Sequence, residues 1–222
     1  MSATARLRDD RVSFQDVSAL LGDLRFRNLL SKEAWAALPP ATRRRFSKRV
    51  AGGHSAVYAG AVLETRWNNA GFVLVQLARL FGAPFPTSRD TGLPAVVTVT
   101  EDRASGGQVW TRLYARRSGF PQVIQSAKRF DGPTGLEEYV GHGVGMSLKV
   151  SAEDRALKFR STRYFLRLGG LKLTLPRWLS PGALTVTHTE ETADQFVFTL
   201  EVEHPWFGML LLQRVRFREV MP

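Results

Sequence analysis

From residue 92 onward the chain is a succession of short runs rich in β-branched and aromatic residues, each closed by turn residues, and nothing else constrains its fold as strongly. The candidate strands are 94–102, 108–116, 121–130, 136–140, 144–152, 156–168, 171–175, 183–192, 195–203 and 209–219. SGG at 105–107, DGP at 131–133, EDR at 153–155, GG at 169–170 and AD at 193–194 supply the reversals. No strand-helix-strand rhythm appears, which argues against a parallel sheet. GGHSAVYAG at 52–60 also lacks the glycine spacing that cradles a pyrophosphate. The fold class is therefore α+β. A large, strongly curved antiparallel β-sheet of about 8–10 strands closes into a β-barrel or stays a half-open cup.

Strand faces carry the functional signal, because side chains alternate along a strand. In 108–116, QVWTRLYAR, one face holds Trp110, Arg112, Tyr114 and Arg116, the other Val109, Thr111, Leu113 and Ala115. The 156–168 run is mixed on both faces: Phe159, Arg163 and Phe165 share one, Arg160, Tyr164 and Leu166 the other. In 209–219, Leu210 and Leu212 give way on the same face to Arg214, Arg216 and Arg218. Only 195–203 segregates simply, with Phe196, Phe198, Leu200 and Val202 on one side. A long curved strand that meets a dry core at one end and a wetter concavity at the other produces such mixing.

Three readings of the aromatic-arginine face stay open. Arg112 and Arg116 reach carboxylates on neighbouring strands, such as Glu101, from a solvated face. Alternatively the rings give apolar contact to a ligand while a guanidinium fixes its anionic head. The third is stacking on single-stranded nucleic acid, for which no supporting motif is present.

Ahead of the strands the periodicity is helical. Phe26, Leu29, Leu30, Ala34 and Leu38 predict a helix over 26–38 that ends at Pro39-Pro40, and a second helix from Ala41 carries the basic run RRRFSKR at 43–49. Residues 54–63 read as a strand, and NAGFVLVQLARLFG at 69–82 as a helix between Asn68 and Gly82. That helix is apolar almost all round, so it is expected to be covered nearly everywhere, across a sheet or over a barrel mouth. Core packing, a lid over an apolar cavity, and insertion into a membrane surface are its three readings; at ~21 Å it is too short to span a bilayer. Residues 1–25 lack strong periodicity and are expected to form a flexible or amphipathic arm, with 26–222 as a single domain.

Catalytic signatures are sparse. With no cysteine, thiolate metal sites, disulfides and cysteine nucleophiles are excluded. His54, His142, His188 and His204 form no metal-binding pair spacing, so no metal and no cofactor is expected. Glu137-Glu138 and Glu190-Glu191 place adjacent carboxylates on opposite faces of a strand, the wrong arrangement for an acid/base dyad, and are expected to be solvated or salt-bridged. No nucleophile elbow or P-loop is present.

The runs FRNLL…AWAALPPATRRRF at 26–46, GHSAVYAG at 53–60, ARLFGAPFP at 78–86, VTVT…GGQVWTRLY at 97–114 and YFLRLGGLKLTLPRWLSP at 164–181 together resemble the bacterial domain of unknown function 4166 family, over roughly residues 26–219. The resemblance implies one domain. It brings no reaction and no catalytic residues that carry over.

The leading expectation is a non-catalytic binding domain for an apolar or amphipathic, lipid-like anionic small molecule. Trp110, Arg112, Tyr114, Arg163, Tyr164 and Arg214 are its candidate contacts. The second is an enzyme in the same cavity, with His54, His188, His204 or Glu138 as general base beside Arg112 or Arg163. The third is an interaction module meeting an anionic surface through the basic helix at 43–49, since more than half of the net charge of +11 arises within residues 1–49. No apolar stretch is long enough for a transmembrane helix and the N-terminus carries charges where a signal peptide is apolar, so a cytoplasmic location is expected.

Overall fold

The computed structural model describes residues 22–82 and 84–220; the expectation for the N-terminal arm falls almost wholly outside them. Eleven strands follow in chain order: β1 (Ala56–Trp67), β2 (Pro94–Asp102), β3 (Gly107–Tyr114), β4 (Gln122–Arg129), β5 (Glu137–Gly141), β6 (Val144–Glu153), β7 (Ala156–Leu168), β8 (Leu171–Thr174), β9 (Ala183–Glu190), β10 (Gln195–His204) and β11 (Gly208–Glu219). Ten of them close into an antiparallel barrel. From β1 to β7 each strand pairs antiparallel with the next in the chain, β9 pairs with β7, β10 with β9, β11 with β10, and β11 returns to β1. β8 is an extra strand folded back on the second half of β7. Closure decides between the two sheet geometries and removes the free edges a cup would expose. At ten strands the interior is also wider than an eight-stranded one that side chains just fill.

Barrel inner faces follow the strand alternation except at four register shifts, in the β1–β11, β10–β11, β5–β6 and β6–β7 ladders. Between Ser147–Arg163 and Leu148–Ser161 the β6–β7 register shifts, leaving Thr162 as the extra residue of a bulge. The bulge reverses the phase of β7, so Phe159 and Ser161 share the inner face with Tyr164 and Leu166 rather than with Arg163 and Phe165. This explains the mixed faces of the 156–168 run better than curvature does. A second shift separates Val62 from Glu64 where β1 meets β11.

Helices cover both ends. The helix expected over 26–38 is broken: a 3-10 turn (Arg27–Leu29) precedes α1 (Lys32–Ala37), because Ser31 is extended and its hydroxyl caps α1 by accepting from Ala34 N at 3.1 Å. α2 (Pro40–Phe46) begins on a proline at its first position and delivers Phe46 into the barrel, where it meets Phe26 at 5.2 Å, Phe159 at 5.7 Å and His188 at 5.2 Å. Arg45 ties this end to β9: its guanidinium pairs with Glu190 at 3.0 Å and lies 3.8 Å above the Phe196 ring.

At the opposite end α3 (Asn69–Ala78) starts at a side-chain cap from Asn68 to Gly71 N (2.8 Å) and continues as a 3-10 turn (Arg79–Phe81) that stops at left-handed Gly82. Gly71 lies on the Leu210 carbonyl of β11 and Gly82 beside Val140 of β5, so the helix crosses the mouth from one wall to the other. Contrary to the expectation of near-complete cover, only one side of it is buried. Val75 and Ala78 face inward, while Phe72, Val73, Leu77 and Leu80 are exposed. A Cβ at Gly71 would fall 1.8 Å from the Leu210 oxygen. Gly71→Ala must therefore lift α3 off β11, and should cost about 1–3 kcal/mol despite alanine's better helix propensity. Thermal unfolding should register that as a midpoint lower by several degrees.

Candidate functional site

β3 is the straightest source of inward side chains, since neither of its neighbours shifts register against it. Trp110 and Tyr114 are buried on its inner face, with Arg112 between them. The pairing with β4 sets Ser126 opposite Trp110, and the pairing of β4 with β5 sets Lys128 opposite Glu138. These residues join into one chain of contacts. Arg112 donates to Ser126 Oγ at 3.0 Å, Ser126 donates to Glu138 Oε1 at 2.6 Å, and Lys128 Nζ meets Glu138 Oε2 at 2.9 Å. Arg112 itself stands 3.6 Å from Glu138. Lys128 also lies 5.1 Å from the centre of the Trp110 ring.

Around this cluster the barrel encloses a cavity of about 550 Å³. Its wall is otherwise largely apolar, with Val97, Ile124, Met146, Leu184 and Phe198 among the contributors. Phe46 forms part of its floor. Leu74, Ala78 and Phe81 from the α3 segment, together with Leu175 and Leu179 from the stretch before β9, border it at the mouth. Leu77, Phe81 and Leu179 are also exposed, so the cavity lining is continuous with the outer surface at that end.

The electrostatics follow from placing charge in this setting. Burial pushes the Glu138 carboxyl up, but Lys128, Arg112 and the bonds from Ser126 and Lys128 outweigh it and hold the group at about 2. Lys128 is drawn below its ordinary value, chiefly by burial, against the pull of Glu138. The cluster carries two cations and one anion. Tyr164 reaches the cavity too, but its hydroxyl donates to the Gly182 carbonyl at 3.0 Å, and burial lifts it to about 12.

The six sequence candidates thus divide. Trp110, Arg112, Tyr114 and Tyr164 line the cavity. Arg163 and Arg214 do not: the β7 bulge turns Arg163 out to solvent, and Arg214 sits exposed between inward Gln213 and Val215 on β11. Arg112 pairs inside the barrel with Glu138 rather than outside with Glu101. Glu137 and Glu138 do point to opposite sides of β5, yet both are buried, Glu137 beneath Lys172 of β8. Lys128 and Ser126 escaped the sequence reading because β4 alternates Gln, Ile, Ser and Lys against Val, Gln, Ala and Arg, two faces of similar polarity.

Among the candidate bases only Glu138 lines the cavity. His54 is exposed and His204 accepts from Trp206 N at the β10–β11 turn. His188 is fully buried, with Arg45 Nη1 3.0 Å from its Nε2, and burial followed by the Arg45 charge keeps it well below the ordinary histidine value. A guanidinium can only donate, so this imidazole is neutral and accepts there. Among the described residues no group of three or more His, Asp or Glu is placed to hold a metal ion.

The family model of the Domain of unknown function (DUF4166) matches residues 38–217. The chain belongs to that family. No curated protein and no solved structure matches it. The matched stretch of this DUF4166 chain runs from Leu38 to Phe217, and so takes in α2, the barrel strands but for the last two residues of β11, and the whole Arg112–Ser126–Glu138–Lys128 cluster.

Proposed function

We propose that the barrel is a non-catalytic binding domain for an apolar or amphipathic small molecule that carries an anionic head group. One observation carries the reading: an apolar-walled cavity of about 550 Å³ holds Arg112 and Lys128 against a single carboxylate, Glu138. That volume is in the range of sites for drug-sized ligands. A surplus positive charge inside a low-dielectric wall is costly unless an anion joins it, and a carboxylate or phosphate on an otherwise apolar molecule supplies one. Arg112 offers the planar fork such a head group needs, while the rings of Trp110 and Phe198 meet its chain.

Chemistry within the same cavity is less well supported. A general base works best with a pKa near the operating pH, and Glu138 is held at about 2 by its partners.

Native mass spectrometry of the purified protein, and titration of a long-chain carboxylate followed by the tryptophan fluorescence that a Trp110→Phe variant loses, test the reading. A co-purifying amphipathic anion, or saturable quenching, is expected. Arg112→Met should weaken that binding about tenfold, the equivalent of one charge-assisted hydrogen bond. No bound small molecule and no response to carboxylate or phosphate amphiphiles would defeat it.

A further inference from the structure

The two ends of the barrel differ in kind. At the α3 end, the tips of four connections expose large apolar side chains: Leu80 (71% exposed) after α3, Phe120 (92%) between β3 and β4, Trp178 (73%) after β8, and Trp206 (79%) between β10 and β11. Phe72, Leu171 and Phe207 extend the same rim. Apolar surface on this scale, gathered at one end, marks an interaction surface rather than ordinary solvent-exposed residues.

Charge follows the same division. The chain has no acidic residue between Glu64 and Asp90, between Asp102 and Asp131, or between Asp154 and Glu190. Those gaps contain the α3 segment, the β3–β4 connection and the β8 region, and they bring Arg79, Arg167 and Arg177 to the rim, all exposed; Arg117 is exposed there too, 3.8 Å from the Asp90 carboxylate. Most acidic residues near strand ends lie at the far end instead, as Asp102, Asp131, Glu153, Asp154, Glu191 and Asp194, against Asp90 and Glu203 at the mouth.

From this placement we infer that the mouth end docks on a bilayer surface containing anionic phospholipid, with the apolar tips entering the headgroup region and the arginines meeting phosphate. Tryptophan suits that boundary because one edge is apolar and the other donates a hydrogen bond. Basic residues close to an anionic leaflet add attraction that salt screens. A second copy is a poorer occupant, since a two-fold contact sets the patch against itself and would bring like charges together. The basic run at 43–49 is not this surface. It lies at the other end, with Arg45 buried against Glu190 and Lys48 paired with Glu219. Because the rim residues Leu77, Phe81 and Leu179 also border the cavity, docking in this orientation would turn its mouth toward acyl chains.

Vesicle flotation of the full chain tests the inference without any cavity ligand, so it can fail or succeed independently of the binding function proposed above. The protein should float with vesicles of phosphatidylcholine mixed with phosphatidylglycerol, and lose that association in high salt. A Trp178→Ser/Trp206→Ser variant and an Arg167→Glu/Arg177→Glu variant should each weaken it about tenfold or more while keeping the wild-type thermal midpoint. Arg44→Glu/Arg49→Glu, at the far end, should leave it unchanged. The inference is overturned by absence of flotation, by equal binding to phosphatidylcholine alone, by sensitivity to the far-end variant instead of the rim variants, or by a rim-dependent dimer in light scattering that binds no vesicles.

Discussion

Glu138→Gln should destabilise the protein by about 3 kcal/mol or more, which is what removing one partner of a buried ion pair costs when the other charge stays behind. Glu138 is 6% exposed and its carboxylate answers both Lys128 and Arg112, with Ser126 donating to the same oxygen that faces Arg112. The amide keeps the shape but leaves two cations facing each other across an apolar cavity. The pH dependence gives the sign. Burial alone would raise the carboxyl above its ordinary 4.5, yet its partners hold it at about 2 in the folded state. A depressed folded-state value contributes stability that is complete above about pH 4.5 and fades as pH falls toward 2. Wild type and variant should therefore differ most near neutrality and converge in acid. Urea unfolding across that range reads the difference directly, and a gap that stays constant down to pH 2 would show that the carboxylate's charge is not what matters.

Lys128 sharpens the test. Its burial already favours the neutral amine, and Glu138 is the main opposing influence. Lys128→Met combined with Glu138→Gln removes both charges and should recover a substantial part of the loss, because an uncharged pair of similar volume avoids the desolvation that an orphaned ammonium suffers. The same double variant leaves Arg112 as the remaining cation of the cluster. Its affinity for an anionic amphiphile then separates the role of charge surplus from that of the guanidinium fork.

What the sequence made legible depended on how local the determinant was. β2 and β7 begin and end where the alternation places them, and Trp110, Arg112 and Tyr114 fall on one inner face because β3 runs without interruption. Arg163 and Tyr164 exchange places because Thr162 is inserted into the β7 ladder; the bulge shows in the sequence only as mixed faces, which do not say where along the strand the phase reverses. Closure depends on β1 meeting β11 across most of the chain, and the Lys128–Glu138 contact depends on the register between β4 and β5. Neither is a property of a single segment. The α3 helix illustrates the converse error. Its apolar sequence predicts cover on all sides, but the barrel covers one side only, and the remaining apolar face becomes part of the rim.

Phe46→Ala should match Glu138→Gln in size, at about 3–5 kcal/mol, the usual loss for a large buried aromatic. Phe46 is 4% exposed and stands where three elements converge: Phe26 from the segment before α1, Phe159 from β7 and His188 from β9. Because it also forms part of the cavity floor, truncation enlarges a space that already exists, and the surrounding walls are hydrogen-bonded strands with little freedom to collapse into it. Arg45 one residue earlier should keep α2 attached through Glu190, so the loss falls on packing rather than on docking of the helix. The thermal midpoint should drop by about 10 °C, and Phe46→Leu, which refills most of the volume, should recover more than half of it. A midpoint within a degree or two of wild type would mean that α2 is not a plug, and that the barrel end is closed by the backbone alone.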